Sequence, residues 1–327
     1  QPAVQSPKTG RPKRKGAFFM NEISIITPIA AVIFFGWFFT SRGIIPQETF
    51  RHNNKILYWL SIPALLLRLT ARADLTAPGN IHLVLAVHAA YIIMPLLAWA
   101  AGRIAGEEKN RLAISALVSI RSNQVFMGIP AISIALGPAG LESLSLYFAV
   151  SLVGYHMISI TSSQMVLSGG ITLRSLAKTA KKLAVNPMVL ACFLGIGFSA
   201  AGIHVFPRAL DVTLKVLGDI GTGMALLAVG AGLDFRSAPA VLRKTWRDSF
   251  IKLIVQPALV WACLLLWPVG NLMVQVVVFV CAMPVAVNSL VVAQGMGMDD
   301  QYASELIAVT TLFSAITLPV WIRVLGI

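Results

Sequence analysis

The sequence predicts an all-α polytopic membrane protein, ten transmembrane helices arranged as two inverted five-helix repeats with helices 4 and 9 broken. Three observations carry this prediction. Of the 327 residues, 57% are hydrophobic and only 12% charged, with a mean hydropathy of +0.79, whereas a soluble chain carries roughly a quarter charged residues. Similar segments recur in the two halves at a nearly constant spacing. Each half also holds an apolar run interrupted by a proline.

Apolar runs of about 20 residues, enough to cross ~30 Å of hydrocarbon, mark the spans. In the first half they are Ile23–Thr40, Lys55–Ala71, Ile81–Gly102, Leu112–Leu136 and Ser143–Leu167. In the second they are Asn186–Ile203, Leu210–Leu233, Phe250–Val269, Leu272–Gly295 and Tyr302–Val324. Residues 23–167 thus form one repeat, 168–185 a cytoplasmic linker and 186–327 the other. Thr27-Pro28 matches Asn186-Pro187 at an offset of 159, and Gly36 and Gly43 fall on Gly195 and Gly202 at that same offset. Pro95 to Ala100 matches Pro257 to Ala262 at 162, Pro130 pairs with Pro284 at 154, and Ala149-Val150-Ser151 matches Ala308-Val309-Thr310 at 159. With an odd number of spans per copy, the second copy enters from the opposite side, the geometry of alternating access around one midplane site.

The net charge of +13 does not point to nucleic acid, because the basic residues lie in an N-terminal tail and in short loops. One set of loops carries Arg42, Arg51, Arg103, Lys109, Arg111, Arg174, Lys178, Lys181, Lys182, Arg236, Arg243, Lys244 and Arg247, against Arg68, Arg72, Arg208 and Arg323 on the other side. The richer set belongs in the cytoplasm, which leaves both termini outside. The tail, residues 1–22, conflicts with that orientation. Residues 1–19 hold no methionine and Met20-Asn21-Glu22 reads as a natural start, so the tail is set aside as a disordered or non-native extension.

The two interrupted runs are Ser122 to Pro130 and Cys281 to Ser289. Proline strips the carbonyl four residues back of its donor, and a membrane tolerates such breaks only inside protein or beside a cavity. Paired breaks in two halves point to a transporter's binding site. Half-helix ends there present N–H groups and positive dipole ends to an anion. The candidate substrate-binding residues are Asn123, Gln124, Gly128, Pro130, Pro284, Asn288 and Ser289, the amides holding a carboxylate without adding a full charge. The alternative, compatible with the first, is that Asn123 and Asn288 satisfy the broken backbone. Arg121 is a candidate for steering an anion, or a side chain that snorkels to the interface. Asp219, the carboxylate placed well inside a span, is the candidate proton- or cation-coupling residue, or else a partner of Lys215, Arg121 or Lys252. His88 and His156 read as core histidines, and Cys192, Cys263 and Cys281 as buried small hydrophobes. No P-loop, HExxH or Cys/His cluster occurs, so neither a cofactor nor a metal is expected, and the chain does not read as an enzyme.

Arg121-Ser122-Asn123 with Phe126 to Pro130, Ala282 to Ser289, Thr310 to Ser314 with Leu318-Pro319, Asn186-Pro187 and Ala225 to Leu233 resemble the auxin efflux carrier family, from about Met20 to the end. That family includes bacterial malate and malonate permeases and the plant PIN carriers, and shares its fold with bile-acid:sodium symporters. The resemblance implies a scaffold of helices 1, 2, 6 and 7 and a moving core of helices 3–5 and 8–10. The broken helices would cross at Pro130 and Pro284, with the substrate carboxylate near Asn123 and Asn288. It implies elevator-type transport of a small organic carboxylate (malate-, malonate- or auxin-like) across a bacterial inner membrane, by a carrier compatible with a homodimer. The short linker suits the prokaryotic form. Sodium symporters of this fold use acidic residues near the crossing, and the ninth span has none before Asp299. Uniport or H+ coupling is therefore expected over Na+ coupling, with a sodium-coupled symporter as the alternative.

Overall fold

The structure, a computed structural model, describes residues 15–72, 80–168, 181, 184–185, 187–232 and 238–327. The tail through Arg14, most of the linker, Asn186 and Leu233 lie outside the described residues. Among those described, all regular elements are helices: α1 (Lys15–Ser41), α2 (Gln47–Ile56), α3 (Ile62–Ala71), α4 (Asn80–Ile104), α5 (Lys109–Val118), α6 (Ile129–Ser168), α7 (Pro187–Ala200), α8 (Arg208–Ala231), α9 (Ala238–Phe250), α10 (Gln256–Leu266), α11 (Asn271–Cys281), α12 (Asn288–Met296) and α13 (Asp300–Leu325). The long α6 is two helices joined at Gly137, whose φ of 60° and ψ of −152° turn the chain.

Four helical segments, Ile81–Ile104, Gln124–Ser168, Pro239–Leu266 and Asp300–Leu325, are long and apolar enough to cross a bilayer. Large apolar side chains such as Phe34, Trp59, Leu96, Leu265 and Ile316 stay exposed, as a surface facing lipid requires. This is an integral membrane protein.

Prolines shape the helices in a specific way. Five-residue widened turns at Leu57–Ser61, Gln124–Gly128 and Ile251–Val255 each end two residues before a proline, Pro63, Pro130 or Pro257. Proline supplies no N–H to the carbonyl four residues back, and a wider turn reaches five back instead. Accordingly Ile62 N–H donates to Leu57, Gly128 N–H to Asn123 and Gln256 N–H to Ile251. The carbonyl that Pro257 strips, that of Leu253, accepts from the Trp321 indole at 2.9 Å.

The helices pack in two groups. In one, α1 lies on α8, and α3 on α7 and α8. Glycines let these backbones meet: a Cβ on Gly36 would stand 2.1 Å from the Leu227 carbonyl oxygen, and one on Gly230 1.9 Å from that of Ile33. In the other group α4, α5 and α6 pack together, α11 lies on α6, α10 on α4 and α9 on α13. The ends of α1 and α7 carry the same cap. Gly43 and Gly202, at φ 69° and 75°, donate three residues back, and Ile44 and Ile203 donate to Phe39 and Phe198, the Schellman pattern.

Ion pairs tie neighbouring elements together. Arg247 pairs with Asp248 and Glu107, Arg111 with Glu107 and Asp299, and Lys244 with Glu305. Elsewhere Arg68 and Arg72 share Asp211 at 2.8 and 2.7 Å.

Several sequence boundaries move. α1 begins at Lys15, ahead of the expected Ile23, and the helix expected to begin at Phe250 begins at Ala238. In α9 the charges that hid the helix are paired with acids from α13 and the α4–α5 loop. The first-half break does not lie at Pro130 either. The helix before it has already ended at Val118, and helical turns resume at Gln124, so Pro130 follows the break and sits just after the widened turn.

Candidate functional site

Between Val118 and Gln124, and again between Cys281 and Asn288, the chain leaves the helical path, and there the two segments cross. Ser122 and Val285 form an antiparallel bridge. Asn123 N–H donates to Pro284 O at 2.7 Å, and Ala286 N–H returns a bond to Arg121 O at 2.8 Å. Crossing thus satisfies part of what each break exposes.

Side chains satisfy the rest, as buried backbone demands. Gln256 donates to the Ile120 carbonyl at 3.2 Å, Tyr155 to that of Ser122 at 3.3 Å, and Val285 N–H to Thr310 Oγ1 at 3.1 Å. The carbonyls of Cys281 and Met283 accept from Lys252 Nζ at 2.9 and 2.7 Å. Asn123 takes no part in this with its side chain. Its Nδ2 is buried without a partner among the described residues, as is Gln124 Oε1.

Both atoms belong to residues around a cavity of about 20 Å³, room for about one water. Its wall includes Asn123, Gln124 and Asn288 from the breaks, Tyr155 and His156 from α6, and Leu66 from α3. Gln124 is held from behind, its Nε2 donating to Tyr147 Oη at 3.1 Å.

Arg121 stands directly behind this wall, fully buried. It donates to Asn288 Oδ1 at 2.8 Å, Ser289 Oγ at 3.1 Å and Ser159 Oγ at 3.1 Å, lies 3.4 Å from His156 Nδ1, and covers the Tyr155 ring at 5.1 Å. None of these partners is an acid. Lys252 is also fully buried and bonds three neutral oxygens. No ion pair among the described residues includes either cation. A buried charge without a counter-charge costs several kcal/mol, so the site favours an incoming anion.

The sequence-predicted residues divide accordingly. Asn123, Gln124 and Asn288 share the cavity, and Arg121 and Ser289 back it. Pro284 supports it through its carbonyl. Gly128 lies in the widened turn, where a Cβ would reach the Val280 side chain at 3.5 Å, and Pro130 follows in α6; neither lines the cavity. Asp219 is not brought there. Its carboxylate pairs with Lys215 at 2.6 Å, one helical turn away, and both side chains are more than half exposed.

Arg121 does not snorkel, because the crossing draws its backbone into the interior. Sequence reasoning missed the contacts of Lys252 and Gln256 at the crossing; His156 is buried, as expected, and also lines the cavity. The signal for Lys252 was present: a lysine inside the apolar run Phe250–Val269 is a functional suspect by default.

The family model described as membrane transport protein matches residues 23–322. A protein of Rhizobium meliloti named "Putative malonate transporter" is 24% identical over 307 residues, covering 91% of this chain and 94% of that one. An "Uncharacterized transporter" of Methanothermobacter thermautotrophicus is 21% identical over 309 residues, covering 94% and 99%. "Uncharacterized transporter YfdV" of Escherichia coli K12 is 22% identical over 321 residues, covering 94% and 98%. Matched over nearly its whole length, the chain belongs to the membrane transport protein family, that of the auxin efflux carriers.

Proposed function

We propose that the protein is a secondary carrier of small organic carboxylate anions, malonate and malate being the first to try. One observation carries the reading: Arg121 and Lys252 lie fully buried at the crossing without an acidic partner among the described residues. Beside them, the Nδ2 donor of Asn123 has no partner among the described residues. A carboxylate supplies both the negative charge and the acceptor that this arrangement lacks. The name of the Rhizobium relative agrees with that chemistry.

In this reading the chain is an inverted pair of five-helix units, supported by the matching caps at Gly43 and Gly202 and by the reciprocal bonds of the crossing. The glycine-packed group of α1, α2, α3, α7 and α8 acts as scaffold, and the remaining helices as the moving core. Leu66 of α3 is the scaffold's contribution to the cavity wall. A cavity of about 20 Å³ is too small for a dicarboxylate, so binding needs the core to slide relative to the scaffold and open it. Asp219, paired and exposed, has no part in this mechanism. Placing the Arg247 cluster in the cytoplasm of a bacterial plasma membrane keeps the richer basic set inside.

Counterflow of radiolabelled malonate into proteoliposomes preloaded with unlabelled mono- or dicarboxylates tests the reading. Accumulation driven by particular acids is expected. Counterflow that is absent for every acid, with sodium or without it, rejects the carboxylate reading.

A further inference from the structure

Lys252 lies in the widened turn between α9 and α10, its side chain wholly enclosed. Three oxygens surround its ammonium group: Ser122 Oγ at 2.9 Å, Cys281 O at 2.9 Å and Met283 O at 2.7 Å. They come from both broken segments. Two are carbonyls at or just beyond the C-terminal end of α11, where the helix leaves acceptors unmatched and its dipole is negative. Carbonyls at the end of a broken membrane helix, joined by a hydroxyl, are the oxygen set with which carriers hold a monovalent cation. Here a tethered ammonium fills it.

We infer that Lys252 takes the place of a coupling cation. As a positioning residue, it ties the end of α11 to Ser122 and so assembles the crossing on which Asn123 and Asn288 stand. This deepens the carrier reading and rests on it for its transport consequences. Substrate movement then needs neither Na+ nor K+. Removing the ammonium leaves a place that a free monovalent cation can enter, which a lysine kept only for its bulk would not.

The test compares the wild type with Lys252→Ala and Lys252→Met in sodium, ammonium or N-methyl-D-glucamine chloride at matched ionic strength. Thermal unfolding is measured first, without any carboxylate. In Lys252→Ala, sodium or ammonium raises the Tm by about 3 °C or more relative to N-methyl-D-glucamine, whereas the wild type and Lys252→Met do not respond. Malonate counterflow in the wild type stays within about twofold across the three salts, while Lys252→Ala falls about tenfold or more in N-methyl-D-glucamine and recovers in ammonium or sodium. Three results overturn the inference: wild-type counterflow that needs sodium, Lys252→Ala as active as wild type in N-methyl-D-glucamine, or a Lys252→Ala protein that neither small cation stabilises. A variant that cannot be recovered folded in any of the salts counts as the third. Wild-type protein inactive in every salt rejects the carboxylate reading instead, and the unfolding comparison still decides the cation site.

Discussion

The guanidinium of Arg121, on one broken segment, donates to the side-chain oxygen of Asn288, on the other, at 2.8 Å. That bond places a buried positive charge one side chain away from the cavity and orients Asn288 at its wall. The remaining Arg121 donors go to hydroxyls and a histidine, so the charge is held in position but not neutralised.

Arg121→Lys keeps the charge but loses the planar fork that reaches Asn288, Ser289 and Ser159 together. Malonate binding is expected to weaken about tenfold or more, the scale of one charge-assisted hydrogen bond. Isothermal titration on purified protein checks this, and unchanged affinity would remove Arg121 from the site.

Asn123 offers a sharper contrast, because its Nδ2 has no partner to lose among the described residues. Asn123→Ala should leave the Tm within about 2 °C of wild type, since no existing bond is broken. Binding should nevertheless weaken. Asn123→Asp puts a like charge where the anion is to sit and should weaken it further. Equal affinities for the three proteins would show that Asn123 makes no contact with substrate. Asn288→Ala is also expected to weaken binding without unfolding.

Asp219→Asn should leave counterflow within about twofold of wild type and its pH profile unmoved, because its carboxylate pairs with Lys215 and is not brought to the crossing. A lost pH dependence in a well-folded variant would restore Asp219 as the coupling residue.

The crossing of α1 and α8 is tested by Gly230→Ala, whose Cβ would stand 1.9 Å from the Ile33 carbonyl oxygen. Overpacking of this kind costs about 1–3 kcal/mol, and a lowered Tm is expected. Gly223→Ala, on the same helix with open space around it, should have no such effect.

The membrane class was legible because hydropathy is a local pattern, and proline in an apolar run pointed to the two segments that meet at the crossing. The position of the first break was not legible, since Pro130 follows the break and the helix before it stops at Val118. The second break is different, with Pro284 inside the crossing itself. The fate of charged residues was the hardest to read. Asp219 and Lys252 both fall in apolar runs, and only tertiary packing sends one outward to Lys215 and the other inward to the end of α11. In α9 the same difficulty concealed part of a helix, because Lys244 and Arg247 find their acids on α13 and in the α4–α5 loop, far away in sequence.

Competition against malonate counterflow by malonate and by its uncharged diamide, malonamide, tests most directly whether the buried cations hold an anion. The account predicts that unlabelled malonate abolishes the signal and that malonamide, nearly the same shape without charge, does not compete. Malonamide competing as well as malonate would contradict it, because the site would then be reading shape and hydrogen bonds rather than charge.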